Sequence, residues 1–127
     1  MKTVEFVIDG EPIGKARPRF TRTGHAYTPD KTRKYEQAVE DAYKNVTDYY
    51  MFDGAVYLTI NAYFKIPKKT KLRLPTKKPD IDNIAKIIMD GLNKVAWNDD
   101  TQVITLKVNK CWSNEPRVEV KIEEVVE

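Results

Sequence analysis

The sequence predicts a single α+β domain in the order β-α-β-α-β-β, a small mixed sheet packed by two helices on one side. Three observations carry this. A chain of 127 residues with 41% hydrophobic and 32% charged residues suits one compact core over 1–127. Four segments alternate apolar residues with a period of two, and two others repeat them at helical spacing. No run approaches the ~18 apolar residues of a membrane helix, and the start, Met1 to Phe6, lacks the apolar run of a signal peptide. A cytoplasmic location with no membrane partner is therefore expected.

Val4, Phe6 and Ile8 alternate with Glu5 and Val7 before the turn signal Asp9-Gly10, an opening strand. From Glu11 to Pro29, three prolines and two glycines break any helical period, and a loop of this length points to ligand binding. Tyr35, Ala38, Val39, Ala42, Tyr43 and Val46 recur at helical spacing between Asp30 and Tyr49, with Thr28 or Asp30 as caps. Val56, Leu58, Ile60, Ala62 and Phe64 then define the clearest strand, ended by Pro67. A basic, proline-bounded loop, Lys68 to Pro79, leads into a second helix whose apolar stripe is Ile84, Ile87, Ile88, Leu92 and Val95. After the turn Trp97-Asn98-Asp99-Asp100, Ile104, Leu106 and Val108 alternate in one strand and Val118, Val120 and Ile122 in the next. The two are joined through Ser113 to Pro116 and read as a C-terminal hairpin.

Residue counts exclude several chemistries. The single cysteine, Cys111, has no internal disulfide partner, and one histidine, His25, leaves no Cys/His zinc site within the chain. Nucleophilic chemistry based on a histidine would have to recruit that loop residue, so carboxylates lead. The net charge of +3 identifies no polyanion by itself, but its distribution is uneven. Lys15, Arg17, Arg19, Arg22, Lys31, Arg33 and Lys34 face only Asp30 in one segment. Lys65, Lys68, Lys69, Lys71, Arg73, Lys77 and Lys78 fill another that has no acid. Of these, Lys15, Arg17, Arg19, Arg22, Lys68, Lys69, Lys71, Arg73, Lys77 and Lys78 are the expected phosphate contacts, which would position DNA without reading its bases.

Asp80 and Asp82 stand where an extended loop enters the second helix, and Asp99-Asp100 lie just past it. A helix from Asn83 to Asn93 is roughly 16 Å long, and seven further residues span roughly 23 Å when extended. The chain is thus long enough to bring Asp100 back beside Asp80 and Asp82. Three clustered carboxylates repel one another unless a divalent cation neutralises them, and Mg²⁺ or Mn²⁺ suits such oxygen ligands. Lys86, one turn beyond Asp82, would steady the extra negative charge of a phosphoryl transition state, with Asp90 orienting it. The plainer reading makes Asp80, Asp82 and Asn83 helix caps, Asp82, Lys86 and Asp90 a solvated i, i+4 ladder, and Asp99-Asp100 an ordinary turn.

The run Lys78-Pro79-Asp80-Ile81-Asp82-Asn83-Ile84-Ala85-Lys86-Ile87-Ile88-Met89-Asp90-Gly91-Leu92-Asn93, followed by Trp97-Asn98-Asp99-Asp100-Thr101-Gln102-Val103, resembles the signature of the RusA family of Holliday junction resolvases. Gly14-Lys15-Ala16-Arg17-Pro18-Arg19-Phe20, with Thr28-Pro29 ahead of a helix, is similar to that family's early segment. The resemblance implies that Asp80, Asp82 and Asp100 bind Mg²⁺ and that Lys86 is the catalytic lysine, with Asp90, Asp99 and Asn83 in support. It implies a homodimer that nicks two strands of a four-way DNA junction in recombination and repair, in a bacterium or encoded by its phages. One departure is Lys94, where such sequences often carry glycine after Leu-Asn; a left-handed helix end is harder for lysine to adopt.

Two other functions compete: a non-catalytic nucleic-acid-binding module, and a metal-dependent nuclease for flaps, forks or RNA. Leu72 and Leu74 would either wedge between base pairs or anchor their loop on the core or on a dimer partner. Phe20, His25 and Tyr27 would stack on bases or pack locally. Cys111 and Trp112 read as structural, and Glu123, Glu124 and Glu127 have no assigned role.

Overall fold

The computed structural model describes residues 1–16 and 19–126, Arg19 by its backbone only. The expected phosphate contacts from Arg17 and from the Arg19 side chain lie outside the described residues, as does Glu127. The elements are β1 (Thr3–Asp9), β2 (Arg19–Phe20), β3 (Ala26–Tyr27), α1 (Asp30–Thr47), β4 (Val56–Lys65), α2 (Ile81–Leu92), a 3₁₀ turn (Asp100–Gln102), β5 (Val103–Ser113) and β6 (Arg117–Glu124). This is the expected α+β domain, with one addition. The long N-terminal loop contains a small hairpin, β2 with β3, closed by the Thr21 amide donating to the His25 carbonyl.

The main sheet has the order β1-β6-β4-β5, mixed because β4 and β5 are parallel while β6 is antiparallel to both its neighbours. Its inward face is built in rows. Val4, Ile122 and Leu58 align across three strands, then Phe6, Val120 and Ile60, then Ile8, Val118 and Ala62, and all nine are buried. Each large apolar side chain so buried stabilises the fold by about 1.5–3 kcal/mol. The helices cover these rows with Tyr35, Val39 and Tyr43 from α1 and Ile84, Ile87, Ile88 and Leu92 from α2. They approach closely because Gly91 has no side chain: a Cβ there would lie 2.9 Å from Val39 Cβ.

The expected C-terminal hairpin does not form. β4 lies between β5 and β6, and residues 114–116 carry the chain across its end, where the Ile66 amide donates to the Ser113 carbonyl. The reason is burial. Val118, Val120 and Ile122 of β6 are at most 2% exposed and need neighbours on both sides, while β5, with Lys107, Asn109 and Lys110, tolerates the edge. The helix between β4 and β5 supplies the crossover that a parallel pair requires. The caps also differ from expectation. α1 starts after Pro29, whose carbonyl accepts from the Thr32 and Arg33 amides, and neither Thr28 nor Asp30 caps it.

Candidate active site

Asp80 is the residue before the first turn of α2 and Asp82 lies in that turn. Asp80 has the backbone angles of a cap, φ −72° and ψ 156°, yet its side chain makes no capping hydrogen bond. Both residues are exposed, and among the described residues neither carboxylate has a hydrogen bond or ion pair. Capping therefore does not explain Asp80. The loop ahead of it is held against β1's outgoing chain by a close contact: a Cβ on Gly14 would lie 2.6 Å from Pro79 Cβ and 3.1 Å from Asn83 Cβ. The Lys15 amide donates to the Asn83 carbonyl at 2.9 Å, which is the visible part Asn83 plays. An open cleft of ≈ 550 Å³ results, lined by Gly14, Lys31, Lys78 and Asp80 among others.

Lys15 also lines this cleft, with its ammonium group held by two acids. Its Nζ lies 2.6 Å from Glu36 Oε2 on α1 and 2.9 Å from Asp90 Oδ2 on α2, with only 18% of its side chain exposed. Burial by itself would lower the Lys15 pKa, but the hydrogen bonds it donates to Glu36 and Asp90, with their charges, outweigh it and hold the ammonium above its ordinary range. Lys15 thus joins two helices to the N-terminal loop, a structural task the sequence analysis did not assign it. Glu36, its partner, was not singled out by the sequence analysis. Asp90 is held mainly by Lys15, since Lys86 Nζ stands 3.8 Å from it, and Lys86 remains 63% exposed.

Asp100 lies at the other end of α2. The chain after Leu92 is tied there by Ala96 N–H to the Leu92 carbonyl and Lys94 N–H to the Trp97 carbonyl. Trp97 is fully buried, and its Nε1 donates to Asp100 Oδ1 at 2.8 Å. With 12 residues, α2 is about 18 Å long, and Ile81 at its start faces Val108 to Cys111, far along β5 from Asp100. The expected return of Asp100 to Asp80 and Asp82 within one chain does not occur. Among the described residues, no group of three or more His, Cys, Asp or Glu side chains could hold a metal ion. Asp99 serves its own turn, accepting from Thr101 Oγ1, while Gln102 Oε1 accepts from the Asn98 and Asp99 amides.

The second basic loop is tied to the end of the sheet rather than loose. Trp112 Nε1 donates to the Leu72 carbonyl, Lys110 Nζ to the Lys77 carbonyl, and Lys77 Nζ sits 5.5 Å from the rings of Phe64 and Trp112. Lys68, Lys69, Lys71, Arg73 and Lys78 are exposed, as is Arg22 at the tip of the β2–β3 hairpin. Leu72 and Leu74 are 46% and 65% exposed, so they do not anchor the loop on its own core; Pro75 is the buried residue there. Phe20, His25 and Tyr27 are exposed too, and His25 is held by Thr21 Oγ1 accepting from its amide. Lys94 adopts φ 67°, the left-handed conformation glycine would take, and α2 still ends at Leu92.

Comparison with known proteins is consistent with these features. The family described as endodeoxyribonuclease RusA matches residues 9–123. A Bacillus subtilis protein described as uncharacterized protein YqaN is 36% identical over 140 residues, spanning 98% of this chain and 99% of its own length. A crossover junction endodeoxyribonuclease of Lactococcus phage r1t is 30% identical over 70 residues, 54% of this chain and 53% of its own. With the family match running from the end of β1 into β6, across both ends of α2, the chain belongs to the RusA endodeoxyribonuclease family.

Proposed function

We propose that this protein resolves four-way DNA junctions by Mg²⁺-dependent paired nicking in recombination and repair, as a cytoplasmic homodimer of a bacterium or its phage. The observation that carries the reading is the pair Asp80 and Asp82, two exposed carboxylates at one helix start that the fold itself leaves unused. Oxygen-only donors of this kind suit Mg²⁺, or Mn²⁺ in its place. Two carboxylates are too few for the expected three-acid set, and Asp100 lies beyond the far end of α2, a helix about 18 Å long. The set is complete only if Asp100 comes from a second copy, which makes the homodimer a requirement of the site. The ion, when bound, would neutralise the acids and make an attacking hydroxide available near neutral pH.

The remaining steps belong to the chain's own groups. Lys86, exposed one turn from Asp82, places an ammonium where a scissile phosphate would sit and stabilises its added negative charge. Asp90 is a positioning residue for Lys15 rather than for Lys86. Lys78 and Lys31 flank the cleft beside Asp80 and suit the backbone of the cut strand, while Lys68, Lys69, Lys71, Arg73 and Arg22 suit the arms.

The test is incubation with a labelled four-way junction and with linear duplex of the same sequence, with Mg²⁺ or EDTA. Paired nicks confined to the junction, lost in EDTA and in Asp80→Asn, are expected. Junction binding without cutting under any divalent ion would instead favour a non-catalytic binding module, which the lack of a three-acid group among the described residues of one chain keeps in view. Equal cutting of both substrates would leave a nuclease of other specificity.

A further inference from the structure

Asp90 stands between two ammonium groups and closes on only one of them. Its Oδ2 lies 2.9 Å from Lys15 Nζ and 3.8 Å from Lys86 Nζ. The first distance is that of a charge-assisted hydrogen bond, and the second is too long for one. Sequence spacing favours the opposite choice, because Lys86 and Asp90 are neighbours at i, i+4 on one helix. On α1 a pair at that spacing does close, Glu40 with Lys44 at 2.7 Å, in the more favourable order of acid before base. Lys86 and Asp90 have the weaker order, and Lys15 is the better anchored competitor. Its amide donates to the Asn83 carbonyl at 2.9 Å, and Glu36 Oε2 accepts from its Nζ at 2.6 Å. Its side chain is 18% exposed, against 63% for Lys86. Asp82, four residues before Lys86, forms no ion pair with it among the described residues either. Lys86 is thus flanked by two acids on its own helix and closed on neither.

We propose that Lys15 is a positioning residue for strand cleavage: by occupying Asp90 it keeps Lys86 out of a closed ion pair, a role that rests on the reading of Lys86 as the lysine stabilising the cut phosphate. The charges set the balance. Glu36 and Asp90 carry two negative charges and Lys15 one positive, so the cluster keeps enough negative charge to draw Lys86 along α2 without binding it. Without Lys15, two carboxylates would surround one partly buried, empty position. The other ammonium near Asp90 among the described residues is that of Lys86. Closing from 3.8 Å to hydrogen-bond distance takes only a rotamer change in a long, exposed side chain. A lysine so paired has a donor committed and its charge offset, and it offers less of both to a phosphate.

A set of variants separates this role from simple support of the fold. Lys15→Met should lower kcat for junction cleavage by roughly tenfold or more with KM little changed. Lys15→Met/Asp90→Asn removes the competing carboxylate and should bring kcat back to within roughly threefold of wild type. Lys15→Met/Glu36→Gln relieves the same crowding of two acids and should regain stability in urea, but it leaves Asp90 to take Lys86 and should stay slow. Neither double variant leaves two acids around an empty position, so both remain testable even where Lys15→Met folds poorly. The pairing itself is read without DNA or metal, by acylating the folded protein with a succinimidyl ester and following modification of Lys86 by mass spectrometry. That rate should fall roughly threefold or more in Lys15→Met and in Lys15→Met/Glu36→Gln, and match wild type in Lys15→Met/Asp90→Asn. Unchanged kcat in Lys15→Met, or equal recovery in both double variants, would reduce Lys15 to a structural tie and overturn the proposal. So would Lys86 labelling that is indifferent to Lys15. A wild type that cuts nothing would sink the nuclease reading, while the labelling order still decides whether Lys15 keeps Lys86 free.

Discussion

At the start of α2, Asp80 and Asp82 are exposed and have no partner among the described residues, whereas at its far end Asp99 and Asp100 are bound into the structure by Thr101 and Trp97. The same residue type thus has two fates on one helix. Acids that the fold uses are chosen by stability, and acids that it leaves over are free to be chosen by chemistry. The contrast predicts opposite responses to substitution. Asp80→Asn and Asp82→Asn should each lower junction cleavage by roughly a thousandfold or more, through loss of a metal ligand. Their unfolding free energies should stay within about 0.5 kcal/mol of wild type, because neither removes an internal contact. Single-turnover cleavage beside urea denaturation checks both halves; a marked loss of stability in Asp80→Asn would erase the distinction.

Asp100→Ala should behave differently. It leaves the indole N–H of the fully buried Trp97 without its acceptor, so a destabilisation of about 1–3 kcal/mol is expected. Asp100→Asn keeps an oxygen for that N–H and should recover most of the stability while remaining inactive. The shared site sharpens this further. Mixing Asp80→Asn chains with Asp100→Asn chains should restore cutting in mixed dimers, since one of their two sites then has a full set of carboxylates. Restored nicking of one strand per dimer is the outcome to look for, and a mixture as inactive as its parts would place all three acids in one chain's duty.

Much of the fold was legible because burial imposes simple periods. The inward rows of β1, β4 and β6 are the alternating residues of the sequence, and the stripe of α2 is its 3.6-residue repeat. The strand pairing was misread because alternation says which face is buried and not which strand is the neighbour. The strand-helix-strand order of β4, α2 and β5 is the pattern that pointed to a parallel pair. At the site, Asp80, Asp82 and Lys86 were legible as a pattern at a helix start. Lys15 was not, because its acid partners come from two helices distant in sequence, and a count of charges along the loop treats every lysine alike. Nor was the place of Asp100, since a chain long enough to fold back need not do so when a buried tryptophan holds it elsewhere.

Lys15 also ties the two ends of the comparison together, because its amide bonds Asn83 at the start of α2 and its ammonium pairs with Asp90 in the last turn. Lys15→Met should destabilise by about 1–2 kcal/mol, leaving Glu36 and Asp90 to repel each other in a partly buried place. The pH dependence follows from the raised pKa of Lys15: its stabilisation is full below the unfolded value of 10.5 and is lost as pH rises through the higher folded value. Tyr43, pushed up to about 12 by burial, works in the same direction, since its neutral phenol is favoured in the fold while the unfolded chain ionises from about pH 10. Stability should therefore fall above about pH 10. Urea midpoints at neutral and alkaline pH should show a smaller fall in Lys15→Met than in wild type, and parallel curves would argue against the ion pairs.

The smallest effect is expected at the end of α2, where Lys94 holds a left-handed conformation at φ 67°. The Cβ of any L-residue other than glycine makes this conformation costlier by about 1 kcal/mol. Glycine removes that strain, loses more freedom on folding, and forfeits the bond from Lys94 Nζ to the Asn98 carbonyl at 2.7 Å. That bond is exposed and offsets only part of the gain, so Lys94→Gly should raise stability by roughly 0.5 kcal/mol. The variant leaves the start of α2 untouched, and cleavage should be unchanged at an urea midpoint slightly above that of wild type. Lower stability in Lys94→Gly would mean that the lysine side chain, and not the backbone angle, is what the helix end requires.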